Sequence, residues 1–201
     1  MSTSALESRD VIGIVLDVMG DECGLVDLVG NPVQVSPEQL DEHPLYGDIT
    51  ERKVAGQWMV RIPWFFYRCA PITGGPHAGR QAIWISPEPV EGFQVHPAFL
   101  QPDGEAMDFM VGKYPATEDG PLVGSQPPPA ARVSCETRTM EARAAARGDG
   151  WMILNDVQSA AIALLVQIEL TLPGSRTASD YRGICELPRD LCLAGSRVAR
   201  C

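Results

Sequence analysis

The run 57–69, "QWMVRIPWFFYRC", decides how the chain is read. Trp58, Val60 and Ile62 alternate with Met59 and Arg61, the period-two pattern of a strand with one face on a core. Pro63 then removes a backbone donor in mid-run, so the strand is expected to lie at a sheet edge or to carry a bulge there. The flanking sequence has the same character. "VIGIVLDV" (11–18) is short, apolar and β-branched, which fits a strand. "LVDLVGNPVQV" (25–35) reads as two short strands around Gly30-Asn31. The stretch 36–50 is expected to be a loop or a single helical turn. Beyond the Gly/Pro-rich loop "APITGGPHAG" (70–79), "QAIWIS" (81–86) is a strand stopped by Pro87. "FQVHPAF" (93–99) is a short strand and a turn, because proline holds the residue before it in extended geometry. "MDFMVGKY" (107–114) is the last strand, and 115–130, with three consecutive prolines, is the longest loop.

Two helices follow. The first is expected from a Ser134 cap through "ETRTMEARAAAR" to a stop at Gly148. Arg132, Arg138, Arg143 and Arg147 are interleaved with Glu136 and Glu141, which reads as a solvated face. The second starts at Asn155 or Asp156 and ends at Pro173-Gly174. Val157, Ala160, Ala161, Leu164, Leu165 and Ile168 form its apolar stripe, with Ile162 and Val166 on the other side. A helix apolar nearly all round is expected to be buried. The last 27 residues read as irregular. Short strands followed by helices define an α+β domain, with two helices packed on antiparallel strands.

Composition excludes several functions. At 201 residues the chain fits one domain, and a 45% apolar content supplies a core. A net charge of −10 disfavours a nucleic-acid surface, which needs concentrated positive charge. No run reaches the roughly 20 apolar residues of a membrane span. "MSTSALESRD" lacks the apolar centre of a signal peptide, so synthesis in the cytosol without export by the Sec route is expected. The six cysteines, at 23, 69, 135, 185, 192 and 201, include no C-x-x-C pair. They read either as free thiols or as groups that oxidise after release, with Cys201 placed to cross-link a neighbouring subunit.

No phosphate loop, nucleophile elbow or H-E-x-x-H motif occurs, and neither an enzyme nor a cofactor is expected. His43 and His77 fall in loops and read as solvated. His96 has three roles open to it: metal ligand, general base, or a ring that hydrogen-bonds a backbone carbonyl and fixes the turn. The last is the expected role. Gln101-Pro102-Asp103 matches a calcium- and sugar-binding tripeptide of animal C-type lectins. Here it precedes both helices, the wrong order for that site.

Five segments in series carry a resemblance. "MVRIPWFFYR" (59–68), "IWISPEPVEGFQVHPAF" (83–99) and "DFMVGKYPAT" (108–117) are joined by "ARGDGWMILND" (146–156) with "AIALLVQIEL" (161–170), and by "DYRGICELPRDLCLAG" (180–195). Together they resemble a family of tailed-phage and prophage virion proteins, tail fibre or minor structural proteins. The resemblance implies a C-type-lectin-like scaffold, of the kind shared with formylglycine-generating enzymes. It also implies an arm and first strand over 1–22, a shortened domain over 23–195 and a tail over 196–201. Pro63, Gly92, His96, Pro97, Gly112, Gly150 and Trp151 would shape turns and core, and Tyr181, Arg182 and Gly183 would close the fold.

The family's aromatic "W-G-N-V-W-E-W" is replaced by "PRDLCLA" (188–194), and relatives continue past the point where this chain stops. Loss of the receptor-facing end is the expectation, with cross-links through Cys185, Cys192 or Cys201 standing in for lost packing. The function implied is a non-catalytic virion protein, in tail or fibre adhesion or in capsid or tail decoration and assembly. Its partners would be other virion subunits, copies of itself (a trimer among the forms allowed) and a host surface glycan or protein. The alternatives are a formylglycine-generating-type enzyme, holding copper through Cys185 and Cys192, and a calcium-dependent glycan-binding module using Asp103.

Overall fold

The computed structural model describes residues 10–16 and 24–172 of the chain. β1 (Ile12–Val15), β2 (Leu25–Val26) and β3 (Pro32–Val33) come first. The short helices α1 (Pro37–Asp41) and α2 (Pro44–Gly47) follow. Next are β4 (Thr50–Val54), β5 (Gln57–Ile62), β6 (Phe66–Pro71), β7 (Gln81–Ser86) and β8 (Gln94–Val95), with a 3-10 turn at Pro97–Phe99. β9 (Phe109–Gly112), β10 (Thr117–Asp119) and β11 (Leu122–Gly124) precede α3 (Thr137–Ala145) and α4 (Asp156–Leu170). The architecture is α+β, and every strand pairing among the described residues is antiparallel.

The strands form a six-stranded sheet of order β3-β2-β1-β7-β6-β8, a three-stranded sheet of order β4-β5-β9, and the β10-β11 hairpin. The run 57–69 is therefore two strands in two sheets, and not one strand bulged or edged at Pro63. β5 is central in the three-stranded sheet and β6 is internal to the six-stranded one. Pro63 is buried in the joint between them. Its missing N–H ends the β5 ladder, and the chain turns out of one sheet and into the other.

The six-stranded sheet is covered on both faces. Ile12, Ile14, Leu25 and Ile85 point to the main core, whereas Val11, Val15, Val26, Ala82 and Trp84 point to a second, smaller cluster. This two-sided burial explains why "VIGIV" is a continuous apolar run and not an alternation. The main core also takes Val60, Ile62 and Val111 of the three-stranded sheet, Phe65 and Phe99, and Ala161, Ile162, Leu165 and Ile168 of α4.

Several expectations are corrected. The stretch 36–50 holds two helices. α1 is capped by a reciprocal Ser36–Gln39 box. α2 has Pro44 at its first turn. β4 was hidden by its charges: "TERKV" is an exposed edge strand, and charge on an edge discourages pairing with other chains. The loop 115–130 contains the β10-β11 hairpin, turned at Gly120, whose φ is +60°. α3 starts after Glu136, not at Ser134, and no side chain bonds its N-terminus. It packs on β11 rather than on a main sheet, and Ala144 is its one buried residue. α4 is not buried all round: Val157 and Leu170 are exposed, while Ile162, assigned to the far side, lies in the core. Among the described residues, no helix is long and apolar enough to cross a membrane.

Candidate functional site

The sequence-predicted residues gather in two places. The first is the joint between the sheets. His96 N–H donates to the Phe65 carbonyl at 3.0 Å, so the turn after β8 is tied to the segment that follows Pro63. The ring of His96 lies 5.0 Å from Tyr67 and 5.3 Å from Phe65, centroid to centroid. Phe99, on the same turn, stacks on Phe109 of β9. His96 Nδ1 accepts the backbone N–H of Ala98 at 3.2 Å, and Pro97 fills the first position of the turn. The bond expected was to a carbonyl. The observed one is to an N–H, because a turn's N-terminus has free donors and needs an acceptor. Burial pushes His96 down to about 4, so it is neutral at pH 7. Gly92 sits in the preceding turn with φ +80°.

His43, expected to be solvated, is buried instead. It repeats the His96 arrangement: Nδ1 accepts from Leu45 N–H at 3.2 Å, Pro44 follows, and the backbone angles (−64°, 132°) match those of His96 (−63°, 133°). Nε2 lies 3.0 Å from the Asp10 carbonyl, an acceptor, so Nε2 carries the proton. The signal was present in the sequence: "HPLY" and "HPAF" share a histidine, a proline, a small or apolar residue and an aromatic.

The second place is the hairpin end of the three-stranded sheet. Gly112 gives room to Ser125, whose Oγ would lie 3.1 Å from a Cβ there. Gln57 Oε1 accepts from Ser125 N–H and from Gln126 Nε2, both at 2.8 Å. Its Nε2 donates to Asp119 at 3.2 Å. Arg147 bonds the Val123 carbonyl and pairs with Asp119, and its guanidinium lies 5.3 Å over the Trp151 ring. Gly150, with φ +82°, turns the chain into that contact. Thr117 Oγ1 is buried here without a hydrogen-bond partner. Pair by pair this is a brace between β5, the hairpin and the end of α3.

Gln101 and Asp103 lie on the loop between the 3-10 turn and β9. Asp103 Oδ1 accepts Glu105 N–H at 3.0 Å, an ordinary turn bond. Among the described residues, no group of three or more His, Cys, Asp or Glu side chains is gathered that would hold a metal ion. Cys69 and Cys135 are not in a disulfide. Tyr181, Arg182, Gly183, Cys185, Cys192 and Cys201 lie outside the described residues. No family model matches the chain, and no curated protein or solved structure matches it.

Exposed apolar groups border the joint. Trp64, Leu100 and Met107 are 37%, 46% and 55% exposed. Trp64 N–H bonds Asp108, the residue after Met107, at 2.9 Å, and Leu100 bridges to Ala106. On the opposite end of the three-stranded sheet, Trp58 has Lys53 at 4.7 Å and Lys113 at 5.8 Å from its ring, with Lys113 also paired to Glu51.

Proposed function

We propose that the chain is a non-catalytic structural component of a tailed-phage virion, built on a C-type-lectin-like scaffold. It serves tail or fibre adhesion, or capsid or tail decoration and assembly, as a homo-oligomer among other virion subunits. One observation carries the reading. Four of the five segments that resemble the family fall on the joints of the fold, and the fifth, 180–195, lies outside the described residues. Residues 59–68 make the passage between sheets, 83–99 include the His96-capped turn, 108–117 include β9, and 146–170 run from the Arg147 brace through α4. Side chains there brace, cap and pack. The exposed Trp64, Leu100 and Met107 supply apolar surface of the kind that contacts between subunits use.

The test is quantitative mass spectrometry of particles purified after prophage induction, followed by electron cryomicroscopy. A fixed copy number per particle supports the reading. Copies at the tail tip with free loops mean adhesion, and copies on the capsid or tail wall mean decoration. Absence from the particle overturns it and favours the enzyme alternative, which copper binding lost in Cys185→Ser would then support.

A further inference from the structure

We propose that His43-Pro44 and His96-Pro97 are a matched pair of acid-released caps, closed while both imidazoles are neutral and opened when each takes a second proton at Nδ1. The geometry carries this. In each case Nδ1 is the acceptor for the N–H two residues on, at 3.2 Å, so that nitrogen must be unprotonated. A proton added at Nδ1 sets a donor against a donor, and the cap bond is lost. Neither ring is free to swing away. His43 Nε2 is held by the Asp10 carbonyl. His96 is packed among Phe65, Tyr67 and Phe99.

The groups facing each ring are few. Around His43 they are Asp10, whose carboxylate favours the charged ring, and Tyr46 at 5.8 Å between centroids. Tyr46 donates its hydroxyl to the Leu165 carbonyl and feels Glu169 of α4. Asp41 and Glu42 precede His43 in sequence. Around His96 the titratable neighbour is Tyr67, whose oxygen accepts from Gln94. α4 packs on the same turn, and its charged residues are Asp156 and Glu169. Burial lowers both histidines, for His96 as the sole cause and for His43 against the pull of Asp10.

Both caps lie under the same element. α2 is bonded to α4 through Tyr46, and the 97–99 turn packs directly against α4. Release therefore loosens two supports of α4 together. Because the folded rings resist protonation, the unfolded chain binds protons first as pH falls through about 6.5. The stability the caps contribute is complete above that value and is lost between it and the lower folded values. The stability margin of a virion or any other assembly would begin to shrink in a mildly acidic medium, while the folded His96 ring itself takes its proton only at about pH 4.

The experiment compares urea midpoints at pH 7 and pH 5 for the wild type, His43→Asn, His96→Asn and the double variant. Asparagine keeps a capping oxygen near the position of Nδ1 and does not titrate. The wild type is expected to lose stability between the two pH values. The double variant is expected to lose about half of that drop or less, with each single variant between. A full drop in the double variant overturns the proposal. Should the double variant not fold, long-range proton–nitrogen NMR of the wild type decides. Unprotonated Nδ1 on both rings at pH 7, with amide protection at Leu45 and Ala98 lost as the rings titrate, upholds it. An Nδ1–H tautomer, or ring titration without change at those amides, sinks it.

Discussion

Gly13 lies directly opposite Trp84 in the β1-β7 pair, and the indole occupies the space where a side chain on Gly13 would stand. A Cβ there falls well inside contact distance of indole Cδ1 and Nε1 and 3.0 Å from Val26 Cγ2. The indole is fixed, because its Nε1–H donates to the Asp27 carbonyl at 2.8 Å and Trp84 is fully buried. Gly13→Ala must therefore displace Trp84 or part β1 from β7. The expected loss is about 2–3 kcal/mol, the upper part of the range for overpacking a core. Chemical denaturation measures it, and a loss under about 0.5 kcal/mol, the size of an ordinary surface change, would show that the indole has room to move.

The β4-β5 hairpin turns through Ala55-Gly56, with φ of +48° and +79°. Two positive φ angles define the turn that suits the twist of a two-residue hairpin, and asparagine or glycine is preferred at its first position. Alanine there costs roughly 1 kcal/mol. Ala55→Asn is expected to stabilise the chain by about 0.5–1 kcal/mol, and Ala55→Val to destabilise it by a similar amount. Thermal melting of the pair tests the sign. A destabilising asparagine would contradict the turn assignment.

What the sequence disclosed follows from what is local. Pro63 and the His96-Pro97 pair act on their immediate neighbours, so a turn or break at each is readable from residue type. Which sheet a strand joins is not local: β5 and β6 are three residues apart yet belong to different sheets. Charge concealed β4, since an edge strand has no apolar alternation to show. "EDGP" holds the Asp-Gly signal of the β10-β11 turn, overshadowed by the prolines around it. α4 was recognisable as a helix from its caps and composition, but its buried side depends on the 97–99 turn it meets. The brace of Gln57, Asp119 and Arg147 joins residues far apart in the chain, and nothing local marks it. His43 is the exception, a buried site whose local pattern matches that of His96 although its place in a loop suggests solvation.

Asp108 secures the passage between the sheets. Its Oδ1 accepts Trp64 N–H at 2.9 Å, and Oδ2 takes Arg61 Nε and Nη2 at 2.7 and 2.6 Å. Arg61 also reaches Asp48 at 3.5 Å, and Asp108 together with Asp48 holds the guanidinium above its ordinary value. Both partners are part-exposed, so the ion pair itself contributes little, and the bond to Trp64 N–H carries more of the effect. Asp108→Ala is expected to cost about 1–2 kcal/mol, and Asp108→Asn, which keeps an acceptor for Trp64, about half of that. Equal losses in the two variants would assign the effect to the ion pair instead.

Asp27 organises the turn that Trp84 leans on. Its Oδ1 accepts the N–H groups of Val29, Gly30 and Asn31 at 2.8–2.9 Å, and Oδ2 accepts Asn31 Nδ2 at 2.9 Å. Partial burial pushes this carboxyl up, but the Asn31 side chain and the three N–H groups push it down further, so it lies below the ordinary carboxylate value. A depressed carboxylate contributes stability that is present above its unfolded pKa, about 4, and lost as pH falls through the lower folded value. Asp27→Ala is expected to cost about 1–2 kcal/mol at pH 7 through the lost turn bonds. The gap between the variant and the wild type should then narrow below about pH 4, as the wild-type carboxylate is protonated and the charge-dependent part of its advantage disappears. A difference that stays constant down to pH 2 would mean that the charge on Asp27 adds nothing to the turn.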